Sequence, residues 1–173
     1  MWKPQIDKNH IAIVLIIVLA ALSRLLPHPP NFTPMTSIAL FTGFYATNKV
    51  LIYGLPIAVM LLSDLFLGLS IISIFVYLSF LLISFLGTLS KKPKVPRLLA
   101  NVLLSSISFF IISNFGVWTL GGYPKTLSGM ASCYTMAIPF FKNSLIGDFF
   151  YSGIMALCYY LSRISLLNPL SKT

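Results

Sequence analysis

Six apolar runs, divided by short polar or proline-rich joints, organise the chain. They cover residues 11–26, 34–47, 50–67, 71–89, 98–118 and 139–162. A bilayer core about 30 Å thick takes about 20 helical residues at about 1.5 Å each. The first run carries Ser23 and Arg24 near its end, the third is loosened by Gly54 and Pro56, and the fourth has no charge. The second would be about 21 Å long if helical, a short or sunken span. Thr33 is placed to cap its first turn, and Pro34 suits the first helical position. No run alternates as a barrel strand does. The pattern therefore predicts an all-α membrane protein, one domain over residues 1–173 that folds as a bundle of six transmembrane helices.

Composition agrees with the pattern. The chain has 173 residues, 57% hydrophobic and 9% charged, against about 45–50% and about 25% in soluble domains. With a mean hydropathy of +0.91, this excludes a water-soluble globule, a disordered chain and a charged coiled coil. Twelve basic residues against three acidic ones give a net charge of +9. The bases are sparse and lie between apolar runs, so they read as topology signals and not as a nucleic-acid footprint. Six spans put Lys3, Lys8, Lys49, Lys91, Lys92, Lys94, Arg97, Arg163 and Lys172 on one face, and Arg24, Lys125 and Lys142 on the other. The positive-inside rule makes the first face, with both termini, cytoplasmic. The strongest vote is KKPKVPR at 91–97, which could also attract anionic lipid. The N-terminus has features of a signal peptide, but Arg24 follows at once, so an uncleaved first span is expected. Cys133 and Cys158 form no CxxC or Cys/His spacing, so neither a metal nor another cofactor is expected. The expected setting is the bacterial inner membrane, with the lipid bilayer as partner and no nucleic acid.

That orientation gathers the few ionisable groups within spans. Arg24 lies near the outer end of the first span and Asp64 in the last outer turn of the third. Asp148 lies about 14 Å below the start of a sixth span at Pro139. Charge in the bilayer is costly, and Asp64 also faces the negative end of its helix dipole. Arg24 is therefore expected to pair with Asp64 or Asp148. Ser144, Gly147, Asp148, Tyr151 and Ser152 recur at helical spacing, as do Asn101, Ser105 and Ser108, and Ser70, Ser73 and Tyr77. These stripes should face the bundle interior, where interhelical hydrogen bonding is their simplest role. Ala39-x-x-x-Gly43 and Ser152-x-x-x-Ala156 would permit close helix packing.

Two outer loops stand over this region. RLLPHPPNFTP at 24–34 should be stiff and extended, presenting His28 and Asn31. WTLGGYPKTLSGMASCY at 118–134 offers Trp118, Tyr123 and Tyr134, either as an interfacial belt or as a lid, with Asn114 beside them. PFFKNSLIGDFF at 139–150 adds Asn143 and leads to Asp148. Arg24, His28, Asn31, Asp64, Asn114, Trp118, Tyr123, Tyr134, Asn143 and Asp148 are the candidate small-molecule-binding residues. No catalytic set is expected: Asp64 and Asp148 could form a carboxylate pair, but no GxSxG or HExxH accompanies them.

RLLPHPPNFTP, ALFTGFYATNK, SDLFLG, SNFGVW, GGYP and CYTMAIPFFKNSLIGDFFYSG resemble a bacterial multi-pass membrane family described as candidate transport proteins. That family is in turn similar to the substrate-binding (S) components of energy-coupling factor (ECF) transporters. The resemblance implies a six-helix subunit that captures a nutrient from outside, served by a coupling protein and two cytoplasmic ATPases. The chain has no GxxxxGK-Ser/Thr loop of its own. S components often dock through AxxxA in the first helix; here Ile16 stands between Ala12 and Ala20, a departure that weakens the expectation of docking. The other expectation is a membrane assembly factor with no solute ligand, which the small-residue pairs would suit.

Overall fold

A computed structural model describes Leu22, Arg24, Leu25 and residues 27–167. Most of the predicted first span, with Ala12, Ile16 and Ala20, lies outside the described residues. Within them the protein is all-α. Its helices are α1 (Met35–Tyr45), α2 (Leu55–Leu67), α3 (Ser73–Thr88), α4 (Val95–Leu120) and α5 (Leu127–Leu167), and a π-helical turn, Val50–Gly54, runs straight into α2.

The π-helical turn has a local cause. Asn48 opens it, accepting the Val50 N–H on its side chain at 2.9 Å and the Leu51 and Ile52 N–H groups on its carbonyl. Four residues beyond Ile52, Pro56 has no N–H, so it cannot bond the Ile52 carbonyl in the α-helical manner. Thr42 on α1 donates its hydroxyl to that carbonyl at 3.1 Å. Turn and helix together form an apolar stretch, Val50–Leu67, long enough to cross a membrane. Val95–Leu120 and Leu127–Leu161 are long enough as well.

α1 is shorter than the expected 34–47 run. At 11 residues it spans about 16 Å and cannot cross a bilayer. Thr33 does not cap it; Pro34 is the capping residue, and its carbonyl accepts the Ile38 N–H at 2.9 Å. The chain reaches this point already buried, with Pro34, Met35, Thr36 and Ser37 all inside. Ser37 meets Asp148 of α5, and Asp148 meets Ser106 halfway along α4. The 27–34 connection thus dips into the bundle, and α1 forms its centre. The core gathers around α1: Met35, Ile38, Leu40 and Phe44 pack with Val59, Phe80, Ile83 and Val102.

α1 and α3 cross glycine on glycine. A Cβ on Gly43 would lie 2.3 Å from the Ser84 carbonyl oxygen, and one on Gly87 2.5 Å from the Leu40 carbonyl oxygen. α3 and α4 meet where Phe75 fills the space over Gly116. Lys91 crosses to the end of α1 and donates to the Gly43 and Ala46 carbonyls, at 2.7 Å each. Arg97 donates to Ser90 Oγ at 3.1 Å and to the Leu89 carbonyl at 3.4 Å. Two cations of the 91–97 cluster therefore satisfy helix-end carbonyls, as the helix dipole favours.

Two span boundaries differ from expectation. The 118–134 loop is only 121–126, and the last helix begins at Leu127, not at Pro139. Thr126 is the reason: its side chain accepts the Gly129 N–H at 3.1 Å, and its carbonyl accepts the Met130 N–H at 2.9 Å. Gly129 can sit against the Pro124 carbonyl because it has no Cβ. Pro139 then lies inside α5, a position membrane helices tolerate.

The exterior is strongly apolar, and the interior mixes an apolar core with many hydroxyls. Leu65, Phe66 and Ile71 are more than 60% exposed, whereas Ser63, Ser79, Ser84, Ser105, Ser106 and Asp148 are at most 1% exposed. An apolar exterior, with hydroxyls bonded inside the bundle, is the arrangement lipid favours.

Candidate functional site

The end of the bundle that carries Arg24 is built around one ion pair. Arg24 Nη1 donates to Asp64 Oδ1 at 2.9 Å and to the Ser63 hydroxyl. The other carboxylate oxygen, Oδ2, accepts the Tyr77 hydroxyl proton at 2.7 Å. Ser63 is held in place by the Val59 and Met60 carbonyls one turn earlier. The guanidinium and the dipole-exposed carboxylate of α2 thus compensate each other. Of the two partners the sequence allowed for Arg24, Asp64 is the one it meets.

Beside the pair are two adjoining cavities. One, of about 260 Å³, is bounded by Arg24, His28, Asn31, Thr33, Met35, Met60 and aliphatic and aromatic side chains. The other, of about 190 Å³, is bounded by Phe109, Phe110, Phe140 and Phe141, with Ser113, Asn114 and Ser144 as polar points. Asn31, Val76 and Phe109 stand in the walls of both. Asn31 holds a left-handed backbone, φ 63°, at the turn that brings the chain inward. Asparagine tolerates that conformation better than most residues. Phe32 then lies over Gly147 and against Phe150 and Tyr151, with ring centroids at 5.8 and 5.5 Å.

Arg24, His28, Asn31 and Asn114 stand in the cavity walls. Asp64 stands behind Arg24. Asp148 lines neither cavity; it is buried beside Ser106 of α4. Trp118, Tyr123 and Tyr134 form no lid. Trp118 donates its indole N–H to the Pro124 carbonyl at 3.0 Å, and Lys125 gathers the Trp118, Gly121 and Tyr123 carbonyls at the end of α4. Tyr134 donates to the Ile111 carbonyl at 2.7 Å and leans on Phe110. Trp118 and Lys125 brace the short 121–126 loop against α4, and Tyr134 ties α5 to α4 further along. Asn143 is half-buried and lines neither cavity.

Sequence reasoning passed over Ser63 and Tyr77 as partners of the ion pair. Tyr77 was visible as a polar residue on an apolar span, which is itself a signal of an interior partner. The inward face of α4 runs through Val102, Ser105, Ser106, Phe109, Phe110 and Ser113; the Asn101–Ser105–Ser108 stripe is rotated slightly from it.

A larger groove of about 550 Å³ lies between Ile38, Phe41, Tyr45, Leu51 and Leu55 on one side and Ile154, Met155, Cys158 and Tyr159 on the other. It is nearly all apolar. Its threonine, Thr42, already shares its one hydroxyl proton between the Ala39 and Ile52 carbonyls, at 2.8 and 3.1 Å. It offers little to orient a polar solute. Among the described residues no group of histidine, cysteine and acidic side chains is placed to hold a metal ion.

An apolar exterior, with three helices long enough to cross a bilayer, defines a helical membrane protein. The chain belongs to DUF6580, a family of unknown function, whose pattern matches residues 4–168. No curated protein and no solved structure matches it.

Proposed function

We propose that the protein is a multi-pass membrane subunit that captures a small molecule in the paired cavities at the Arg24 end, facing outward, in the manner of an ECF S component. The observation that carries this reading is the shared wall of Asn31, Val76 and Phe109 between a chamber edged by Arg24 and His28 and a chamber lined by phenylalanines. Arg24 spends Nη1 on Asp64 and Ser63, and a guanidinium has further N–H donors to offer. A compact solute with a flat apolar body and a polar end matches both chambers. The cytoplasmic placement of the Lys91 end rests on the distribution of lysine and arginine.

The test is ligand-dependent thermal stability of the purified full chain against a panel of vitamins and nucleobases. A binder at a hundredfold its Kd stabilises by about 2.7 kcal/mol. The Phe109→Ala variant should lose that shift, while a variant in the apolar groove, Ile154→Ala, keeps it. A panel with no shift, or a shift that Phe109→Ala leaves intact, overturns the reading. Stoichiometric co-purification with a coupling protein and ATPases would extend it to energy-coupled uptake. A stoichiometric partner without ATPases would point instead to membrane assembly.

A further inference from the structure

We propose that Asp148 is a proton-binding site, a neutral carboxylic acid held where α1, α4 and α5 meet. The side chain is 1% exposed. The described elements packed against it bring hydroxyls and no charge: Thr36 and Ser37 from α1, Ser106 from α4, Ser144 and Ser152 from α5. Arg24, the cation of the neighbouring ion pair, is engaged by Asp64 and Ser63 and not by Asp148. An ionised carboxylate buried without a cation loses its hydration and regains little, so the group takes up a proton instead.

Hydroxyls that donate to a carboxyl favour its charge, so the case for a proton rests on the burial of Asp148 and on the lack of a cation among the described groups around it; the Ser106 contact accommodates the acid. Ser106 Oγ lies 2.7 Å from Asp148 Oδ2 and 3.0 Å from the Val102 carbonyl, but it has one proton to give. With the acid, Asp148 donates to Ser106 and Ser106 donates to Val102, so each donor has an acceptor. Ser37, bonded to the Asp148 carbonyl at 3.1 Å and to Ser152 at 2.9 Å, fixes the backbone at this point. The short contact with Ser106 leaves no room for a metal ion between the two oxygens. Ser144 bonds Asp148 and also stands in the cavity wall. A solute that engages Ser144 would therefore compete for the hydroxyl that steadies the acid. That link rests on the proposed function; the proton site does not.

The chain is suited to a direct test because it has three acidic side chains, Asp7, Asp64 and Asp148. Infrared spectra of the full protein in lipid nanodiscs at neutral pH should show a protonated-carboxyl C=O band. Asp148→Asn should remove it, and Asp7→Asn and Asp64→Asn should keep it. Ser106→Ala should shift its frequency, which a carboxyl with no hydrogen bond to that hydroxyl would not show. Loss of carboxylate absorption and not of the acid band in Asp148→Asn overturns the proposal. So does an acid band that appears in choline buffer and vanishes in sodium buffer, which would make the site a sodium site. Retention of the far-ultraviolet helical signal in each variant separates these outcomes from unfolding, and Asp148→Glu, which keeps a carboxyl, should restore an acid band.

Discussion

The Arg24–Asp64–Tyr77 cluster predicts an asymmetry between its two charges. Removing Arg24, as Arg24→Met, strands a carboxylate whose side chain is 6% exposed at the negative end of the α2 dipole, with the Tyr77 hydroxyl as its remaining donor. Breaking a buried pair this way costs about 3–5 kcal/mol. Removing the other charge, as Asp64→Asn, strands a guanidinium that is 18% exposed. That cation keeps Ser63 and sits beside a helix C-terminus, which favours positive charge, so partial solvation brings the loss down to about 1–2 kcal/mol. The two single variants should therefore differ by about 2 kcal/mol, roughly thirtyfold in the unfolding constant. Tyr77→Phe removes one bond to an ionised group and should cost about 1.5–3 kcal/mol. The assay is reversible unfolding in mixed micelles with increasing dodecyl sulfate, fitted to two states. The exchange Arg24→Asp with Asp64→Arg should recover much of the stability that either reversal loses. Equal costs for Arg24→Met and Asp64→Asn, or no recovery in the exchanged double variant, would refute the account of a compensated pair.

Two further predictions concern the centre of the bundle. Gly43→Ala and Gly87→Ala each drive a methyl into helix backbone that no rotamer change can relieve, so each should cost about 1–3 kcal/mol or more; Gly153→Ala, with nothing within 4 Å, should be neutral or mildly stabilising in the same unfolding assay. Thr42→Val leaves the Ile52 carbonyl without its hydroxyl donor and should cost about 1–3 kcal/mol, whereas Pro56→Ala restores an N–H able to reach that carbonyl. Thr42→Val should therefore cost less in the Pro56→Ala background, as read from a double-mutant cycle; strict additivity would argue against the shared carbonyl.

What the sequence reveals and what it hides divide along a physical line. Span positions follow from apolar length, so 50–67, 71–89 and 98–118 lie within a few residues of the turn with α2, of α3 and of α4. The Arg24–Asp64 pair was legible because lipid makes unpaired charge expensive, and few partners exist in so weakly charged a chain. The start of α5 was misread because glycine and proline near 121–129 outweighed the capping signal of Thr126. Both glycine and cap act there: Gly129 fits beneath Pro124 only because the capped turn brings it there.

Depth was the least legible quantity, and it decides the site. Linear spacing put Asp148 with Arg24 by counting along the last span. In the structure Arg24 meets Asp64 at the wall of one cavity, and Asp148 lines neither cavity, one turn along α5 from the wall residue Ser144. Asn31, with its left-handed backbone, lines the cavities, while Ser37, six residues on, already touches Asp148. A two-residue pattern such as Pro29-Pro30 announces stiffness but not direction. Direction comes from what receives the chain: the buried hydroxyls of α4 and α5 offer polar partners at mid-depth to Thr36 and Ser37. The buried serines that look incidental along the sequence thus set how deep α1 starts. By doing so they set which groups reach the cavities and which remain behind them.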